Sequence, residues 1–225
     1  MRFAFTEDQL MFRDAVRDVL ARECPPTVVR KAWEDNTGRA AAVYKTLAET
    51  GVVSAIASED AGGMGMTELD IVLALDECGY AAIPDPIVET ALVAIPLIEA
   101  VGTEALKATW LPKLVSGEAI AAVDFDGASF VAHAPVADLL LFVRDGALHA
   151  VARADVTLDS QVSVDRARRI AAVAWTPSAA TLVASGPDAA AAIEAAKLRA
   201  TLGTSALLVG LTRRMLDMTV EYAKV

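Results

Sequence analysis

Hydrophobic positions in the first hundred residues recur at helical spacing. Leu10, Ala15, Val16, Val19 and Leu20 line one face behind Thr6-Glu7-Asp8-Gln9, whose spacing is that of a capping box, with Phe5 and Leu10 placed as a hydrophobic staple. Pro25-Pro26 ends this helix. A second is predicted over residues 40–49, with Val43, Leu47 and Ala48 inward and Gly51 as its stop. A third covers 67–80, Pro84 and Pro86 break the chain, and a fourth follows over 87–101. Thr103 caps a fifth, with Glu104 in its first turn and an expected end before Pro112. Residues 1–117 therefore read as an all-helical domain.

The period changes after Gly117. Short apolar runs at 119–125 and 139–143 precede Asp145-Gly146, a strong hairpin turn, and 147–152 returns as a strand; 171–175 and 181–184 are further strands. Residues 118–186 form a small β domain on this reading. The alanine-rich stretch 187–225 regains helical character and carries apolar residues around much of its circumference, among them Leu198, Leu202, Leu207, Leu208, Leu211 and Met215. Such a helix needs cover on a second side. The expected fold class is mainly α with a small β domain, and the expected state is an oligomer joined through this last helix.

Composition removes several functional classes. Of 225 residues 55% are hydrophobic, yet the richest run, 91–98, contains Pro96 and is too short to span a membrane. The formal net charge of −10, without a basic run, argues against a nucleic-acid surface. Cys24 and Cys78 lack metal-ligand spacing and read as reduced core thiols. His133 and His149 have no serine motif or ligand pattern beside them and read as surface or strand residues. Gly62, Gly63 and Gly65 are followed by no Lys-Ser or Lys-Thr, which favours a tight interhelical loop over a phosphate cradle. Acidic Glu7 and Asp8 follow Met1 closely, which is unlike a leader peptide and points to the cytoplasm.

One segment is more specific than any of these. Gly102-Thr103-Glu104, Lys107, Trp110-Leu111-Pro112 and Gly117-Glu118 closely resemble the helix, turn and lead-in to the flavin domain of acyl-CoA dehydrogenases. Leu47-Ala48-Glu49-Thr50-Gly51, followed by Glu59-Asp60-Ala61-Gly62-Gly63-Met64-Gly65, resembles a second signature of that family, with Ser58 where proline is usual. Gly210 and Met215-Leu216-Asp217, leading to Glu221-Tyr222-Ala223, resemble its first long C-terminal helix. The resemblance implies an N-terminal helical domain, a middle β domain and the start of a C-terminal helical bundle. It also implies α,β-dehydrogenation of an acyl-CoA thioester with FAD as cofactor and an electron-transfer protein as acceptor. The family's sequence continues past the point matching Val225, so a longer protein is expected.

The residues that would perform this chemistry match the family poorly. Proton abstraction needs a positioned carboxylate; the family takes it from a late loop or, in a minority, from a long-helix position that is Ala200 here. No catalytic base is assigned. Matching from Gly117-Glu118 puts Val123, Phe125 and Asp126 at flavin-contacting positions, with Asp126 where threonine is usual. A carboxylate there lacks the hydroxyl donor and opposes the charge of reduced flavin. Positions matching the acyl-pocket floor are Ile71 and Ala74, three apart on one helix face. Two readings follow: a dehydrogenase subunit completed by a homologous partner, or a non-catalytic acyl-CoA-binding or scaffold subunit.

Overall fold

The computed structural model describes residues 4–35, 37–125, 127–128 and 130–224. Thr6 caps α1 (Glu7–Glu23) through the expected reciprocal bonds with Gln9. The chain does not turn away at the prolines. Pro26 instead opens α2 (Pro26–Glu34), since at a helix's first position the missing N–H has no partner to lose. After α3 (Ala41–Glu49) comes α4 (Glu68–Tyr80), capped by Thr67 with Asp70.

The helix expected over 87–101 is two pieces. Val88–Ala94 is a seven-residue π-helical segment that runs into α5 (Ile95–Val101). Then α6 spans Glu104–Val115 and passes through Pro112 rather than stopping before it. The hydrogen bond that Pro112 cannot make falls on the exposed Ala108 side, while Leu111, Leu114 and Val115 are buried on the other, so packing outweighs the lost bond.

Among the described residues seven strands follow: β1 (Ala121–Asp124), β2 (Val131–Ala132), β3 (Leu139–Arg144), β4 (Ala147–Ala152), β5 (Thr157–Gln161), β6 (Ile170–Ala174) and β7 (Leu182–Ala184). They make a four-stranded sheet in the order β1-β3-β4-β7, with β1 and β3 parallel, and a three-stranded antiparallel sheet in the order β2-β6-β5. Asp145 and Gly146 both take positive φ at the β3–β4 turn, as a tight hairpin requires. Strand β3 is apolar on both faces. Leu139 and Leu141 join the helical core, whereas Leu140 and Phe142 join a smaller core between the sheets, where Trp175 stacks on Phe142 at 4.5 Å.

The last element, α7 (Pro187–Ala223), is 37 residues long. It crosses α4 at very close range: a Cβ on Gly79 would lie 2.1 Å from the Leu207 carbonyl oxygen, and one on Gly210 would lie 1.8 Å from that of Asp76. Only glycine admits this approach. Leu198, Leu208, Val209, Met215, Leu216 and Met218 remain exposed on α7. Among the described residues no helix is long and apolar enough to cross a membrane.

Candidate functional site

Beside the α4–α7 crossing lies a cavity of about 300 Å³. Leu207, Leu208 and Leu211 of α7 form one wall, Val29 and Trp33 of α2 another, and Cys78 and Gly79 of α4 line it as well. Burial raises both thiols above their ordinary range, Cys24 to about 11 and Cys78 to about 12, so Cys78 meets the cleft as a neutral group.

The opposite side is polar. Asp85, Glu89, His133, Asp165 and Arg168 all line it, but they are not equally available. Asp85 is buried and used internally: its carboxylate accepts from Arg39 Nε at 2.7 Å and from the Ala40 N–H at 2.7 Å. Asp165 accepts from the Ala167 N–H at 2.9 Å and shapes its own turn. Among the described residues His133 lies within ion-pair range of Glu89, its Nε2 3.8 Å from Oε1. That separation is too long for a hydrogen bond.

The two sides of this polar end are fixed to each other. Thr90, next to Glu89 and fully buried, accepts the Ala121 N–H of β1 at 3.0 Å. His133 follows β2, its N–H donates to the Arg169 carbonyl, and its own carbonyl accepts from the Val136 and Ala137 N–H groups at 3.0 Å each. The residue expected at a surface or in a strand is thus a half-buried wall of the cleft. Its spacing to Glu89 along the chain carries no signal that sequence reasoning can use; only the packing of β1 on the π-helical segment brings them together.

The positions implied for acyl and flavin binding lie elsewhere. Ile71 and Ala74 are completely buried in the helical core and do not line the cleft. Val123 and Phe125 are half-buried and pack against the same core. Between them Asp124 is buried, its carboxylate 2.6 Å from Arg144 Nη2 and bonded to the Ala128 N–H at 3.1 Å. Asp126 lies outside the described residues. The described side chains at 123–125 therefore present two apolar groups and one carboxylate already engaged, with no hydroxyl for a flavin. They do not fit that cofactor as a site of their own. Ala200 is half-buried against the core and offers no base.

The sequence profile of the acyl-CoA dehydrogenase N-terminal domain matches residues 6–118. The chain belongs to the acyl-CoA dehydrogenase family. It is 30% identical over 221 residues to the acyl-CoA dehydrogenase IpdE2 of Mycolicibacterium smegmatis, covering 97% of this chain and 65% of that protein. To the acyl-CoA dehydrogenase IpdE2 of Mycobacterium tuberculosis it is 28% identical, covering 97% of this chain and 64% of that one. The chain thus spans just under two thirds of these relatives. Among solved structures, the ChsE4-ChsE5 complex from Mycobacterium tuberculosis superposes with a TM-score of 0.81 over 100% of this chain and 69% of that chain, at 22% identity. At that identity the likeness speaks for the fold: helical region, small β region and long helix in the order of the family.

Proposed function

We propose that this chain is a subunit of an FAD-dependent acyl-CoA dehydrogenase that acts on an acyl-CoA thioester, with a homologous partner subunit supplying most flavin contacts and the proton-abstracting carboxylate. The observation that carries this reading is the cleft beside the α4–α7 crossing, apolar along α7 and α2 and large enough for an acyl group. In the proposed assembly this chain holds and desolvates the acyl group. Ala74 stands one turn before Cys78 on the same face of α4, so Ile71 and Ala74 set the shape of that wall from behind. Val123 and Phe125 contribute apolar packing toward the flavin side. Electrons leave to an electron-transfer protein, and the whole belongs in the cytoplasm.

The test is co-expression with a homologous full-length dehydrogenase. The expected result is a yellow complex that oxidises acyl-CoA, whereas the chain alone carries little FAD. Stoichiometric FAD and full activity in the chain alone would remove the partner from this reading.

The engaged Asp124 and apolar Val123 and Phe125 also favour a second reading, an acyl-CoA-binding or scaffold subunit without catalysis. A complex whose turnover is unchanged when this chain is omitted would establish it.

A further inference from the structure

We propose that Glu89 and His133 form a polar end-stop of the cleft that selects acyl thioesters bearing a hydroxyl group on an otherwise apolar body. The inference rests on the acyl-binding reading above and adds the substrate class.

Two independent observations converge on this pair. Glu89 belongs to the π-helical segment Val88–Ala94, a backbone form that is rare and concentrated at functional sites. His133 holds φ at +61°, in the left-handed region that non-glycine residues occupy only at a cost, and the cost falls where the site uses the side chain. Two atypical backbones thus meet at one end of one cavity.

The neighbouring groups leave the role to this pair. Asp85 is saturated by Arg39 and Ala40, and Asp165 is turned into its own loop. Arg168 is exposed to solvent, which leaves Glu89 and His133 as the partly buried pair, 3.8 Å apart, too far to bond each other. A hydroxyl oxygen seated beside both accepts from the Nε2–H of His133 and donates to the Glu89 carboxylate, bridging the two facing atoms with one group. A plain alkyl chain offers neither bond and leaves both polar groups stripped of water, a difference that sites built for a hydroxyl convert into strong discrimination. The opposite wall, Leu207, Leu208, Leu211 and Trp33, suits an apolar body.

The experiment uses calorimetric titration with CoA thioesters of six, eight and ten carbons, each with and without a terminal hydroxyl. Wild-type protein is expected to bind the hydroxylated member at least about tenfold more tightly at one chain length, about 1.4 kcal/mol. Glu89→Leu and His133→Asn are each expected to reduce that ratio below about threefold while plain-chain affinity changes little. Asparagine is chosen at 133 because it tolerates the left-handed backbone, and Glu89→Met, which likewise lacks a strong acceptor, stands in should the leucine variant not fold. Equal binding of both members at every length overturns the selection and leaves the acyl-binding reading intact. A preference that persists in the variants also overturns it. Failure of wild type to bind any thioester removes the acyl-binding reading and this inference with it.

Discussion

Arg213 of α7 places Nη2 2.9 Å from Oε1 of Glu77 on α4, a carboxylate only 2% exposed. The same nitrogen lies 2.6 Å from Asp76 Oδ2, the guanidinium sits 4.3 Å from the Tyr80 ring centroid, and Arg17 of α1 donates to the same Glu77 Oε1 at 2.7 Å. Three helices are therefore tied through one buried charge. A buried carboxylate is tolerated only while such donors remain.

Arg213→Ala is accordingly expected to destabilise the protein by about 2 kcal/mol, the scale of a hydrogen bond to a charged group, with Arg17 still shielding Glu77. Arg213→Lys should recover less than half, because an ammonium loses the planar stacking on Tyr80. Urea unfolding midpoints at constant slope measure both.

At the helix crossing, Gly210→Ala should cost about 3 kcal/mol or more, since its Cβ would fall 1.8 Å from the Asp76 carbonyl oxygen, which is backbone and cannot yield. Gly146→Ala is the control. It meets no atom within 4 Å, so only the left-handed turn opposes it, at about 1 kcal/mol. Thermal unfolding of the two variants should rank them clearly.

Cys24 and Cys78 should resist thiol reagents at pH 8 in the folded protein and react fully once unfolded. With folded values of about 11 and about 12, about one thiol in a thousand or fewer is ionised at that pH. The sign of the linked stability follows. Both thiols keep their protons longer in the fold than at their ordinary 9.0, so their contribution is complete below pH 9.0 and is lost as pH rises toward about 11 and then about 12. Denaturation midpoints measured at pH 7.5 and pH 10 should therefore fall.

Leu208, Val209 and Leu216 line a shallow apolar groove on the outer side of α7. The chain as given should self-associate through it at micromolar concentration, and glutamate at Val209 and Leu216 should shift the sedimentation coefficient toward the monomer. Unchanged sedimentation in the double variant would exclude this face as the contact.

What could be read in advance follows from how local each signal is. Thr6 and Thr103 announced helix starts because a cap involves residues only two or three positions apart. Asp145-Gly146 announced its hairpin for the same reason. Pro25-Pro26 did mark the end of α1, although Pro26 also opens α2; Pro112 misled, because burial of Leu111 and Leu114, which no local rule contains, carries α6 through it. The two-residue β2 and the polar β5, Thr157-Leu158-Asp159-Ser160-Gln161, lack a strand-like apolar pattern and exist because β6 pairs with both. The Glu89–His133 pair, 44 positions apart, was invisible for the deeper reason that its two residues belong to different secondary-structure regimes.

Leu208 belongs to two surfaces at once, the inner cleft and the outer groove of α7. A helix of 37 residues is a beam about 55 Å long, pinned at Gly79 and Gly210 so that it can neither roll nor slide there without a steric collision. On the acyl-binding reading proposed above, a neighbour gripping the outer groove would restrict the same side chain that the acyl group would meet from within. Reciprocity then binds the two events: whatever factor assembly adds to ligand affinity, the ligand must return to assembly.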